Sequence, residues 1–421
     1  MASLSTLCLR ELYWRRSTNV SKSIQIVYPP ADVQSGWAYK GLNSRTPPIF
    51  LNELEASAMS NVWLRNQEIR SMPPFSLVFP GPDPNGATLG ETSFLDGNGT
   101  IHTCSFTASG LWQLQPFNLN PATNPWTFVG GPTLMSGTPV SSRVFANLLY
   151  YTNGVPYVQS WDGIATSTTL VSGLTNAIFG GNGSSIGGEF LYEINNQICL
   201  LNVSLYNLSS VTNPIPGFGP STLPAGAVTT FPQTLWWSAN GIPNQFDPTV
   251  NTSAGFDSFL DVPDQFTGVM AFGEVAYLYR NNGITYQTIS DNSSLAPFYF
   301  DHLWSSELGM GNIYPWSIAQ YGSVGFFIAT DNVYKATVQG FAPIGAGARD
   351  AIILDLSKAT LNPVASIIPK FSQGYVYLRY ELCIPMGSAT RMYSYSVEDD
   401  SWLVQDFPGL LVTARPSLVW R

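Results

Sequence analysis

Two histidines, His102 and His302, are all this 421-residue chain contains, and neither stands three or four residues from a second metal-ligating side chain. That spacing argues against an imidazole-based metal centre, so each ring is expected to sit satisfied in a strand or loop. Cys8, Cys104, Cys199 and Cys383 lie far apart without a Cys-x-x-Cys spacing, which reads as buried free thiols rather than a zinc or redox motif. Carboxylates gather loosely at Asp257, Asp261 and Asp264 and again at Glu398-Asp399-Asp400, while Asp301 follows the aromatic run Phe298-Tyr299-Phe300. A glycosidase needs two such groups at a defined separation, which a sequence does not display; loop and turn caps are the expected role. Gly180-Gly181-Asn182-Gly183 lacks the Lys-Ser/Thr of a phosphate loop, and Ser160-Trp161-Asp162-Gly163 reads as a turn. The expectation is therefore no catalytic residue, no cofactor and no metal. The one dense basic spot is Arg10, Arg15 and Arg16, candidates for assembly contacts with a neighbouring subunit.

The elements that would position these side chains are strands. Ala271-Phe272-Gly273-Glu274-Val275 through Gly283-Ile284-Thr285-Tyr286 and Gln320-Tyr321-Gly322-Ser323-Val324 through Asn332-Val333-Tyr334 share one outline. Each has an aromatic residue, a Gly, a short strand, a polar turn, then a β-branched residue and a Tyr. Weaker copies centre near Ser105, Leu149, Leu191, Trp236 and Tyr377. A strand repeat of roughly 45 residues is the signature of propeller blades. The fold class read from it is all-β: a β-propeller of about seven blades, with six or eight also compatible. Residues 1–60 fall outside the repeat and read as an extended N-terminal arm, with residues 61–421 as the propeller. Within the first part, Asn52 to Leu64 is expected to form a short helix, and Asn202 to Ala227, rich in Asn, Ser, Pro and Gly, a long displayed loop.

Composition narrows the partners. Charged residues make up 11% of the chain against 44% hydrophobic, and Lys22, Lys40, Lys335, Lys358 and Lys370 are its only lysines. A free monomer so poor in charge would be weakly solvated, so much of its surface is expected to be covered by neighbouring subunits. A formal net charge of −9 argues against a module that grips nucleic acid, which needs clustered Lys and Arg. No run of apolar residues is long enough for a spanning helix, and the N-terminus lacks the pattern of a signal peptide.

Residues Leu235 to Gly345 carry an ordered series: Trp237-Ser238, Phe246-Asp247-Pro248, Val262-Pro263 leading to Thr267-Gly268-Val269, Phe272-Gly273 with Tyr279-Arg280, Gly309 with Pro315, Asp331-Asn332-Val333-Tyr334 and Pro343-Ile344-Gly345. In that order they resemble the β-propeller proteins of phage head–tail junctions and tail nozzles, the podovirus-type DNA-stabilisation and tail family. Asn61-Val62-Trp63-Leu64 with Arg70 looks like that family's N-terminal segment, although Ser71-Met72-Pro73-Pro74 replaces its more usual Arg-Pro-Gly. The resemblance implies a non-enzymatic virion protein at the neck or tail. It would stand in a ring of its own copies, contact other head–tail or tail proteins, and extend or close a channel through which DNA passes without specific binding. A carbohydrate-binding or glycan-cleaving propeller, tail-displayed or secreted, is the alternative expectation. A cell-surface adhesion propeller, glycosylated at sequons such as Asn98 and Asn251, is a third.

Overall fold

A computed structural model describes residues 87–115, 125–154, 157–171, 185–207, 228–261, 264–290, 297–303, 311–372 and 375–409, with short pieces elsewhere. Six four-stranded antiparallel sheets follow one another along the chain, the arrangement of a six-bladed β-propeller. Blade 1 comprises Thr88–Leu95, Ile101–Thr107, Gly110–Leu114 and Trp126–Gly130. Blade 2 comprises Ser141–Phe145, Leu148–Thr152, Gln159–Trp161 and Thr169–Leu170. Blade 3 comprises Ser185–Ile194, Gln197–Tyr206, Val228–Trp237 and Gly255–Ser258. Blade 4 comprises Phe266–Phe272, Val275–Arg280, Ile284–Ile289 and Phe298–Leu303. Blade 5 comprises Ala319–Tyr321, Val324–Ile328, Val333–Thr337 and Gly340–Pro343. Blade 6 comprises Val364–Ser372, Tyr375–Met386, Ala389–Ser396 and Ser401–Pro408.

Six blades rather than seven follows from one insertion. Leu191 and Trp236 head separate copies of the repeat in sequence, yet both belong to blade 3, where Leu200 pairs with Leu191 on one side and Trp236 on the other. The chain between these strands also departs from the expected loop. Asn202 to Tyr206 continue the second strand, and Val211–Thr212 pairs with Thr222–Leu223 in a small separate sheet. Asn52 to Leu64 holds strand residues at Glu55–Ala56 and Val62–Arg65 instead of a helix, and Val62–Arg65 pairs with Glu68–Ser71. A short amphipathic pattern is overridden by pairing with a neighbouring strand. The arm read over residues 1–60 lies almost wholly outside the described residues.

Each blade turns back on itself where its residues permit it. Between the first two strands, blades 4 and 5 put Gly273 (φ 69°) and Gly322 (φ 56°) in the left-handed region. Blade 3 uses Asn195 and Asn196 there, both at positive φ, the signature of a tight hairpin turn. The first strand of blade 3 lies beside the first strands of blades 2 and 4, and the blade 5 and blade 6 first strands are likewise neighbours. Burial falls outward from there: Ser185–Ile194 is almost wholly buried, whereas in Phe298–Leu303 only Phe298 is buried and the rest alternate exposed and half-buried.

Apolar clusters fill the joints between consecutive blades. Leu89, Phe106, Leu149 and Trp161 close joint 1–2, while Val158, Ile186, Leu200 and Trp236 close joint 2–3. Phe190, Leu235, Leu278 and Phe298 meet at joint 3–4, and Met270, Tyr279, Phe327 and Tyr334 at joint 4–5. Joint 5–6 adds a helix, Arg349–Leu356, which inserts Ile352 and Leu356 beside Phe326 and Tyr380. Burying each such side chain contributes roughly 1.5–3 kcal/mol. Cys104, Cys199 and Cys383 are free thiols within these cores, in blades 1, 3 and 6, and burial pushes all three up from the ordinary thiol pKa.

Candidate functional site: an aromatic cleft between blades 3 and 4

The outer parts of blades 3 and 4 part to leave a cavity of about 530 Å³. Register explains its walls. In blade 3 Trp237 pairs with Gly255 and Leu235 with Asp257, so the indole, the glycine and the carboxylate share one face of the sheet. On the facing strand Phe298 and Phe300 are two residues apart and share a face, while Tyr299 and Asp301 point to the other. The rings of Trp237 and Phe298 meet edge to face, with centroids 5.4 Å apart and planes at 88°. Phe300 stands 6.4 Å from Phe298 at 58°.

The loop between the last two strands of blade 3 forms the end of the cleft. Phe246 accepts a 2.8 Å hydrogen bond from the Trp236 indole N–H through its carbonyl, and Asp247 caps the turn by accepting from the Thr249 backbone N–H at 2.9 Å. The Trp237 indole N–H is committed to the Ser253 carbonyl at 3.2 Å, so toward the cleft Trp237 offers only π surface. A Cβ at Gly255 would stand 2.7 Å from the indole, and its absence is what lets strand and ring lie flush.

The charges lie beyond the rings. Asp257 is exposed at the mouth, but crowding by the two blades raises its pKa above the ordinary carboxylate value, and the nearby Asp261 carboxylate adds to that rise. His302 faces Asp261 Oδ2 at 3.4 Å and stands 3.2 Å from the Thr285 hydroxyl, which also accepts from Arg280 Nε at 3.3 Å. Arg280 is buried with its guanidinium 4.2 Å above the Phe266 ring, and Nη1 donates to the Asp264 carbonyl at 2.6 Å. Desolvation lowers its pKa to about 10. This chain of contacts ties the joint together. The cleft itself is lined by rings, by Asp257 and by Thr252, with no basic side chain among its lining residues. Among the described residues no group of three or more His, Cys, Asp or Glu is placed to hold a metal ion.

The structure brings together Asp257, Asp261, Asp264 and His302 of the sequence candidates and sets Asp301 on the other face. Glu398-Asp399-Asp400 form a turn in blade 6, accepting bonds from the Leu378 backbone, Ser396 and Tyr395. His102 lies at joint 1–2, where Gln113 Nε2 donates to its Nδ1 at 2.8 Å and its Nε2 meets Asp96 Oδ2 at 3.1 Å. Arg10, Arg15 and Arg16 lie outside the described residues. Trp237, Phe298 and Phe300 were not legible as a site, since each reads as an ordinary strand residue; the aromatics two apart at Phe298 and Phe300 were the available sign.

No family model and no curated relative matches the chain. Among solved structures it is similar to an inactivated virginiamycin B lyase from Staphylococcus aureus with quinupristin, at 10% identity and TM-score 0.40 over 80% of this chain and 90% of that one. It is also similar to the Aleuria aurantia lectin with α-methyl-L-fucoside, at 12% identity and TM-score 0.29 over 77% and 96%. The AfRom2 CNH domain matches at 9% and 0.31 over 76% and 88%. Likenesses this distant bear on no activity. Among the described residues no helix is long and apolar enough to cross a membrane.

Proposed function

We propose that this chain is a structural protein of a tailed-phage particle, standing in a ring at the neck or tail where it extends or closes the DNA channel. The observation that carries the reading is the ordered resemblance over Leu235 to Gly345. That segment runs from the third strand of blade 3 through blades 4 and 5. Scarce charge and exposed apolar residues such as Tyr299 and Val338 suit a surface covered by neighbours. The net charge of −9 suits a wall that DNA passes without sticking. Copies of the chain and adjoining tail proteins are its partners in this reading, and its work is mechanical.

The test is electron microscopy of native particles labelled with an antibody to this chain. Label on a ring at the neck or tail is expected; dispersed monomers with no particle would overturn the assignment. Arg10→Ala, Arg15→Ala and Arg16→Ala together should lower particle yield while the propeller still folds, and unchanged yield would remove the arm from assembly. The cleft at joint 3–4 favours a second reading, a ligand-binding propeller, tail-displayed or secreted, for which glycans are one class to test.

A further inference from the structure

The far side of blade 6 is built unlike the joints between the other blades. We propose that the chain's own N-terminal strands form a releasable strap seated on a polar face of blade 6, and that the ring opens there. The inference concerns how the chain closes on itself and does not depend on the virion reading.

Register defines the seat. Ser366 pairs with Glu381 and Glu381 with Ser394; in the next row but one, Arg379 pairs with Ser396 and Ser396 with Ser401. Side chains alternate along a strand, so these six share the face opposite Tyr380 and Trp402, which pack toward blade 5. All six are at most 8% exposed, yet the hydroxyls of Ser366, Ser394 and Ser401 have no hydrogen-bond partner. Among the described residues, apolar clusters join each blade from 1 to 6 to the next, and none joins blade 6 to blade 1. Beside the outer strand of blade 6, Ser401–Pro408, stand Gly41–Leu42 and Val62–Arg65 instead. These pair with Glu55–Ala56 and Glu68–Ser71 in small sheets of their own, so they leave blade 6 without breaking a ladder. Opening an apolar joint brings hydrocarbon into water, whereas opening this one gives water to hydroxyls that lack a partner.

Ser394→Cys places a thiol of similar size on the seat of the full chain. Its reaction with a maleimide under folding conditions, mapped by mass spectrometry, is timed against Cys104 and Cys199, which are buried at joints 1–2 and 3–4. The seat thiol should react about tenfold or more faster than either. Leu64 pairs with Ile69 in the strap, and Leu64→Pro should raise the rate at the seat about tenfold further while leaving Cys104 and Cys199 unchanged. Ser366→Ala removes one unmatched hydroxyl without touching the probe and should slow the seat thiol about twofold. A seat thiol no faster than Cys104, a rate indifferent to Leu64→Pro, or a faster rate with Ser366→Ala would each overturn the proposal. So would a Leu64→Pro effect shared by all three thiols, because the strap would then belong to the common core.

Discussion

Joints 1–2 and 3–4 are built from the same pair of residue types and behave oppositely. At joint 1–2, His102 and Asp96 stand 3.1 Å apart with side chains only 7% and 3% exposed. Gln113 Nε2 lies 2.8 Å from the ring's Nδ1, and the ring's Nε2 is directed at Asp96. Phe94 stacks on the ring at 5.2 Å and Trp161 meets it edge-on at 5.4 Å. At joint 3–4, His302 and Asp261 are 3.4 Å apart but 26% and 64% exposed. Burial, rather than residue type, separates the two pairs: one is sealed under aromatic rings and the other faces water. A buried pair stripped of one partner leaves an uncompensated polar group, whereas an exposed pair exchanges its partner for water.

The largest expected effect breaks the closed joint. His102→Ala takes one partner from Asp96 Oδ2 and one from the Gln113 amide and should cost about 2–4 kcal/mol, read from urea unfolding followed by tryptophan fluorescence. Gly163→Ala comes next: φ is +84° and a Cβ would meet His102 Nε2 at 2.7 Å. A loss of about 1–3 kcal/mol is expected, and a loss below that would mean the Asp162 turn can shift. His302→Ala, the matching change at the open joint, should cost under about 1 kcal/mol. If it cost as much as His102→Ala, the contrast between the joints would fail.

Acid sharpens the same comparison. Asp96 is held below the usual carboxylate range, first by the Thr100 backbone N–H and then by His102. Its stabilisation is therefore present above its unfolded pKa and lost as the pH falls through the lower folded value. Asp257 runs the other way: its pKa is raised, so its contribution is fullest in acid and declines as the pH rises from the unfolded to the folded value. Asp96→Asn should flatten the acid limb of the stability profile. The smallest effect is that of Asp257→Asn, expected within about 0.5 kcal/mol of the parent at neutral pH and, if anything, on the stabilising side.

The blades were legible because their turns are. Phe272-Gly273-Glu274-Val275 and Tyr321-Gly322-Ser323-Val324 occupy the same place in successive blades, with Phe272 opposite Val275 and Tyr321 opposite Val324. The blade number was harder to read, because the segment between Tyr206 and Val228 separates two strands that pair, and spacing alone then counts one blade twice. The helix Arg349–Leu356 was hidden for a related reason: Ala351-Ile352-Ile353-Leu354 is a short apolar run that reads equally as a strand. The turn-capping role of Glu398-Asp399-Asp400 was expected. The cleft was not, because it exists only where two sheets diverge, and no local pattern records the angle between blades.

The three buried thiols make the propeller its own reporter. Cys104, Cys199 and Cys383 sit in three different blades, each at most 3% exposed. None can meet a bulky alkylating reagent until its own blade opens, so the order in which they are modified records the route by which the ring comes apart. Simultaneous labelling would describe a ring that yields as one body; Cys104 reacting last would mark the sealed histidine joint as its final closure.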